Sequence, residues 1–556
     1  MVIILKDVTF AFLKIAETMS RRLRLLLAVS SGLILSLGWF QWASGLFILF
    51  GFIPLLFVED FFLANKKRYA SINVFLYAWL AFGIWNLADT WWIWNATAPG
   101  MVVAIVVNSF LMALVFWFFH LVRRSVPGKS GYFALIVFWT YWEYFYLNAE
   151  ISWPWLNLGN AFANDTGIIQ WYEYTGTLGG TVWVLVSNVL LFGIIKHLIT
   201  ERKWQGKVFD SVLAAAWIFI PVIISQFIFH TYKEKGKSYT VVVIQPNIDP
   251  YEKFVALSSD FQTQRILDLA SLKADTSVDY FVAPETALNN DIWIDRMEEN
   301  TAIQAVRRFL KPYPRAKFVV GITGYKSYNP NEKRTPTARP LGTTGLYYDS
   351  FNSAIQIDST PNIPIYHKSK LVVGVEKMPY PQYLGFLQKL MLRLGGTFRS
   401  HATQTYRSVL RSPQDSMGVA TVICYESVFG EFVTDYLKCG NTGFIFVMTN
   451  DGWWGDTPGY RQHFSFSRLR AIETRRDIAR SANTGISGFI NQKGDVLEKV
   501  GWWEPAALRR EIHANTEMTY YAEHGDYLGR LAGWFSLLTA LAAITRYLMN
   551  KRKKTS

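Results

Sequence analysis

Cysteine is nearly absent from this chain. Two residues, Cys424 and Cys439, among 556 exclude a disulfide framework. Charge is also scarce: Asp, Glu, Lys and Arg make up 18% of the residues, against 51% hydrophobic and 16% aromatic, which is low for a soluble protein of this length. A removable leader is not expected, because residues 1–20 are mildly amphipathic and show no small-residue cleavage site. There is no internal repeat and no low-complexity linker. The net charge of +14 would suit nucleic acid, but no nucleic-acid motif accompanies it. The basic residues sit instead in short clusters between apolar runs, a pattern of membrane topology. No cofactor or metal is expected, since His463 stands far along the chain from other His and Cys.

What the chain has in quantity is long apolar stretches. Runs able to cross a bilayer fall near residues 25–41, 43–61, 71–92, 100–122, 132–148, 171–195, 211–231 and 528–548. That gives about eight spans at the roughly 20 residues each requires, the fifth being short. Lys66, Lys67 and Arg68, then Arg123, Arg124 and Lys129, then Lys196, Arg202, Lys203 and Lys207 occupy every second loop. Arg546, Lys551, Arg552, Lys553 and Lys554 follow the last span. By the positive-inside rule both termini are cytoplasmic and residues 232–527 lie on the opposite side. Lys233, Lys235 and Lys237 read as an interfacial snorkelling cluster. Glu143 and Asp89 are the notable carboxylates within the spans, and the Trp and Tyr of residues 84–95 and 141–155 read as an interfacial belt.

The expected organisation is therefore a membrane domain over residues 1–232, an extracytoplasmic domain over 233–520, and a closing helix with a basic tail over 521–556. The middle domain alternates strands with helices. Tyr239–Gln245 is a β-branched strand, 259–273 has helical spacing, Tyr280–Ala283 is a strand, and 297–310 is helix-like. Strands at Lys317–Ile322, Gly443–Asn450 and Gly485–Ile490 complete the pattern of an α/β sheet covered by helices. Residues 326–345 read as an exposed loop.

Within that domain the run Thr421-Val422-Ile423 ends on Cys424, followed by a small polar turn and Gly430. A buried strand that stops this way presents a nucleophile, although a lone cysteine after an apolar run also reads as core. Glu285 closes another apolar run at Pro284-Glu285, and Lys368 sits in a short β-like segment with Glu376 and Pro379 after it. Taken together and in order, Glu285, Lys368 and Cys424 resemble the triad of the nitrilase (carbon–nitrogen hydrolase) superfamily. A thiol near its ordinary pKa of about 8.5 needs a base and a positive neighbour. Glu285 is the candidate base, Lys368 the candidate thiolate and oxyanion partner, and Glu376 a support for Lys368.

Further motifs narrow the resemblance. Gln245-Pro246-Asn247-Ile248 with Lys253-Phe254, Phe351-Asn352-Ser353-Ala354, Tyr366-His367-Lys368, Cys424-Tyr425-Glu426, Asn450-Asp451-Gly452-Trp453-Trp454-Gly455 and Gln462-His463 are similar to the apolipoprotein N-acyltransferase family, a membrane-bound branch of that superfamily. Trp153-Pro154-Trp155 with Gly159 fits the same family. Two positions depart from it: Val373-Gly374-Val375 stands where a Pro-Phe-Gly run is usual, and Phe254 where a tryptophan is.

The resemblance implies a multi-span α-helical membrane domain joined to a nitrilase-like αββα sandwich. It implies acyl transfer through a Cys424 thioester, from a phospholipid (phosphatidylethanolamine) to the amine of a lipoprotein's diacylglyceryl-cysteine, by a monomer in the bacterial inner membrane. Tyr425 and Glu426 become supporting residues, with Glu426 equally readable as a structural ion pair; Phe254, Pro379 and Trp453 become substrate contacts. His463 reads as a packed structural residue and Cys439 as a small buried one, both cysteines staying reduced. Two other readings compete: a membrane-anchored amidase sharing the triad, and a transporter with an inert domain.

Overall fold

The computed structural model describes residues 18–126, 128–201, 204–253, 256–377, 380 and 400–555. The chain divides into two compact units. One gathers the chain up to Trp91, Met101–His230 and the segment from Asp526; the other comprises Trp92–Gly100 and Thr231–Gly525.

The first unit is helical. Among the described residues, seven helices are long and apolar enough to cross a membrane: Arg21–Trp39, Gly45–Ala64, Ile72–Thr90, Ala98–Ser125, Tyr172–Glu201, Val208–Thr231 and Tyr527–Arg552. An eighth, Phe133–Asn148, has only 16 residues, below the length a perpendicular crossing needs. Its Glu143 is fully buried yet well supplied with donors: Trp139 Nε1 at 3.0 Å, the Leu158 amide at 2.8 Å and the Thr181 hydroxyl at 2.6 Å. Gly159 lies where a Cβ would stand 1.9 Å from the Thr177 carbonyl, so only glycine allows this approach.

Two expectations need correction here. Glu143 and Asp89 are not the only carboxylates inside the helices. Glu59 is completely buried and Asp60 nearly so, and they meet His120 at 2.8 Å, Arg123 at 3.2 and 3.4 Å and Lys196 at 2.7 Å. The partners arrive from helices distant in sequence, which is why composition alone hid them. The interfacial belt also fails in part. Trp85, Trp92 and Trp155 are fully buried, Trp85 packing on Trp39 with ring centroids 5.3 Å apart, while Trp91 and Trp94 remain exposed.

The second unit is built on strands β1 (Lys237–Gln245), β2 (Tyr280–Val282), β3 (Leu288–Trp293), β4 (Lys317–Ser327), β5 (Arg339–Pro340), β6 (Tyr347–Ile357), β7 (Ile365–His367), β8 (Leu410–Arg411), β9 (Gly418–Ile423), β10 (Thr442–Thr449), β11 (Ile478–Ala482), β12 (Gly488–Ile490), β13 (Val496–Lys499) and β14 (Ala506–Ala514). The first sheet runs β14-β1-β2-β4-β6-β5, with β3 on β4 and β7 on β6; the second runs β13-β12-β11-β10-β9-β8. Tyr239 and Tyr280 of the first sheet pack edge-on against Phe444 and Phe446 of the second. On the outer face of the first sheet, Ile266, Leu267 and Ala270 of helix Ser259–Ser271 and Ile303, Val306 and Leu310 of helix Thr301–Leu310 join a core with Val242, Phe281, Phe318 and Val320. Helices Gly430–Leu437 and Pro458–Thr474 cover the second sheet. The layers are therefore α, β, β, α.

The order matches the expected alternation, with differences. Residues 326–345 are not wholly loop, since β5 pairs with Tyr347 and Tyr348. The late strand is shorter than Gly485–Ile490, beginning at Gly488 because Gly485 adopts φ +122° in the turn before it.

Candidate active site

Three strand ends converge. Glu285 lies three residues beyond β2, in a turn whose next residue, Thr286, has φ +47°. This turn sits against β4 at Gly321, where any Cβ would fall 2.6–2.7 Å from Pro284 O, Thr286 N and Glu285 Cα. Lys368 follows β7 directly, and its amide donates to the Asn352 carbonyl of β6 at 2.8 Å. Cys424 follows β9 and opens a single 3₁₀ turn, Cys424–Val428.

The Lys368 ammonium is 1% exposed and lies 2.9 Å from both Glu285 Oε1 and Glu376 Oε1. Asn352 Nδ2 donates to the same two oxygens at 2.7 and 3.1 Å, and the Val372 amide donates to Glu376 Oε2 at 2.8 Å. Burial alone would push Lys368 down, but Glu285 and then Glu376 outweigh it and hold its pKa well above the ordinary lysine value. Burial opposes ionisation of Glu376 as well, yet Lys368 and the Val372 amide keep it below the usual glutamate value. Glu376 is presented by a tight turn in which Gly374 takes φ +84° and its amide donates to Lys377 O at 2.8 Å. That turn is the Val373-Gly374-Val375 departure, and it still delivers Glu376 to Lys368.

Cys424 is 9% exposed. Its pKa is driven well above the ordinary thiol value by burial, then by Glu285, with Lys368 pulling the other way. Lys368 favours the thiolate, while its charge is shared with two carboxylates. The backbone at Cys424 is strained, with φ +51°. Its carbonyl is held from two sides, by the Ser427 hydroxyl at 2.8 Å and by His463 Nε2 at 3.1 Å. His463 Nδ1 in turn faces Asp451 Oδ1 at 2.8 Å, and Arg480 reaches Asp451 Oδ2 at 2.8 Å.

Glu426 is fully buried and no cation pairs with it among the described residues; it accepts hydrogen bonds instead. The Ile423 amide donates at 2.8 Å, the Ser369 amide at 2.7 Å, the Lys370 amide at 3.3 Å and the Tyr366 hydroxyl at 2.8 Å. It ties the turn carrying Cys424 to the segment after Lys368. Tyr425 is buried, its ring edge-on to Phe429. Trp453 is half-buried and packs edge-on against the exposed Tyr251. Phe254 and Pro379 lie outside the described residues. Both cysteines are free, and Cys439 is half-buried rather than buried.

The family model described as apolipoprotein N-acyltransferase N-terminal domain matches residues 31–190, and that described as carbon–nitrogen hydrolase matches residues 240–520. The chain belongs to the carbon–nitrogen hydrolase family, in its apolipoprotein N-acyltransferase branch. An apolipoprotein N-acyltransferase of Chlorobaculum tepidum is 27% identical over 492 residues, covering 87% of this chain and 90% of the relative. One of Thermotoga maritima is 25% identical over 545 residues, covering 95% and 94%.

Among the residues around this carbon–nitrogen hydrolase centre, two, Asn352 and Lys253, have no role that the sequence alone assigns. Asn352 bridges Glu285 and Glu376 from the middle of β6. Lys253 is 1% exposed, with Nζ 2.9 Å from Thr286 Oγ1 and 3.3 Å from Glu285 O; burial lowers its pKa to about 8 against the pull of Glu285. Both stand inside motifs that were quoted, so position was the available signal. His463 was hidden by chain distance, and that distance was the wrong argument about metal: folding brings donor atoms of Cys424, Asp451 and His463 within 4.8 Å of one another. Arg480 at 2.8 Å from Asp451 already supplies the positive charge there.

Proposed function

We propose that this protein transfers a fatty acyl chain from a phospholipid to the free N-terminal amine of the diacylglyceryl-cysteine of apolipoproteins, through a thioester on Cys424, in the last step of bacterial lipoprotein maturation. The observation that carries the chemistry is Lys368 fixed at 2.9 Å from two carboxylates beside a buried, strained cysteine. Glu285 takes the thiol proton as the sulfur attacks the acyl ester carbonyl. Lys368 stabilises the oxyanion of the tetrahedral intermediate. The carbon–oxygen bond to the glycerol breaks, Glu285 returns the proton to that oxygen, and a lysophospholipid leaves. The acceptor amine then attacks the thioester, loses a proton to Glu285, and expels Cys424, which recovers it. The amide product leaves the site as it began.

Phosphatidylethanolamine is the donor in this reading, and the protein acts as a monomer in the inner membrane. Both termini are cytoplasmic and the catalytic unit is periplasmic. Contacts inside the helical unit support that orientation: Lys66 Nζ lies 3.4 Å from Arg124 O, Lys196 reaches Asp60, and Arg124 and Tyr547 line one apolar groove. Three basic loops and the end of the last helix thus share one end of that unit. The amidase reading loses ground to the match over residues 31–190, which a small-amide hydrolase does not need.

Intact-mass measurement after incubation with phosphatidylethanolamine vesicles should show the protein gaining one acyl chain, removable by hydroxylamine. Cys424→Ala should gain none and Cys439→Ser should gain the same mass as the parent. Acylation that survives Cys424→Ala defeats the covalent route.

A further inference from the structure

Away from the reactive cysteine, the described residues contain one other close group of metal-ligating side chains: Glu234, Asp477 and His513. They come from three places. Glu234 is in the segment that leads into β1, Asp477 immediately precedes β11 of the second sheet, and His513 lies on β14 of the first, opposite Ser238. His513 Nδ1 is 3.4 Å from Asp477 Oδ2 and 3.5 Å from Glu234 Oε2. These separations exceed good hydrogen bonds. Neither His513 Nδ1 nor Asp477 Oδ1 has a hydrogen-bond partner, and the Asp477 side chain is completely buried.

We infer that Glu234, Asp477 and His513 form a binding site for a first-row divalent cation, with Zn²⁺ the best fit, clipping the two sheets together where the chain enters the domain. The distances carry the choice of metal. Ligands bound tetrahedrally at 2.0–2.1 Å stand about 3.4 Å apart, whereas the octahedral geometry of Mg²⁺ brings neighbours to about 3 Å. One imidazole with two carboxylates is a donor set that zinc accepts. The supports behind the ligands are present as well. The His513 amide donates to Asp477 Oδ2 at 2.7 Å and Asn491 Nδ2 donates to Glu234 Oε1 at 2.7 Å, so both carboxylates are oriented. The His513 and Glu234 side chains are 38% and 28% exposed, so the cluster lies near the surface of the unit. Burial raises the Asp477 pKa to about 6, a penalty on the bare carboxylate that a bound cation offsets.

The test uses full-length protein in detergent with Cys424→Ala, so that the reactive thiol binds no metal. After a chelator wash, Zn²⁺ is titrated against a chromophoric competitor, and the thermal midpoint is read with and without zinc. One Zn²⁺ per chain and a midpoint rise of a few degrees are expected. His513→Gln and Glu234→Gln should each weaken binding at least tenfold and abolish the rise. Both side chains are partly exposed, and zinc-free midpoints matching the parent would show that the variants fold. Zinc binding that is unchanged in His513→Gln, or absent from the parent at micromolar zinc, overturns the inference.

Discussion

Burial and the neighbouring Glu285 push the Cys424 thiol above its ordinary pKa, against the pull of Lys368. In the proposed route deprotonation and attack are therefore coupled, with Glu285 as the acceptor. This gives two substitutions opposite signs on one readout. Glu285 raises the thiol pKa and Lys368 lowers it. Glu285→Gln should therefore speed Cys424 alkylation at fixed pH near neutrality while reducing acylation by roughly 10²–10⁴-fold. Lys368→Met should slow both. The comparison is an iodoacetamide rate measured without phospholipid; slower alkylation in Glu285→Gln would show that the Glu285 charge does not oppose thiolate formation, and undiminished acylation in that variant would place the base elsewhere. At this scale the meeting of Glu285, Lys368 and Cys424 was legible because each ends an apolar run, and a strand end is a place from which side chains converge. Asn352 and Lys253 were not legible as partners. Nothing local distinguishes an asparagine inside β6, or a lysine in a loop, from its neighbours until the fold sets it beside a carboxylate.

At the scale of elements, Glu426 joins the turn after β9 to the segment after β7 through backbone amides. Burial raises its pKa above the ordinary value of 4.5, the hydrogen bonds opposing that rise. The folded state therefore binds this proton more tightly than the unfolded one. The contribution is fully present below the unfolded pKa, and stability is lost as pH rises through the folded pKa. Glu426→Gln cannot titrate, so the parent-minus-variant difference in unfolding free energy should fall with rising pH above about 4.5. At neutral pH the variant's amide nitrogen faces backbone donors, and each unpaired one costs roughly 1–3 kcal/mol. Denaturant titrations at several pH values measure both effects, and a pH-independent difference rules out the assigned proton. Most elements around the site were legible from β-branched runs. β11 and β14 were not: β11 buries Arg480 in its middle, and β14 carries Arg509, Arg510 and Glu511 along a sheet edge, so neither has the apolar pattern of a central strand.

On the scale of the whole molecule, the basic loops make a claim about sidedness. A reporter fused after residue 330 should read as periplasmic and one after residue 554 as cytoplasmic. Finding both on one side would mean an odd number of crossings is missing or extra between them. The number of helices was legible from run length, whereas the carboxylates shared between helices were not, because their partners are remote in sequence. That remoteness governs how the chain is made. Glu59 is synthesised 61 residues before His120, and Asp60 precedes Lys196 by 136. Until those partners emerge, the second helix carries two acids with nothing to pair them, a cost for any charged group withdrawn from water. Final seating of this helix is therefore expected to wait for the helices ending at Ser125 and Glu201. Assembly of the helical unit is thus ordered in time by its ion pairs, the earliest acids being the last groups to settle.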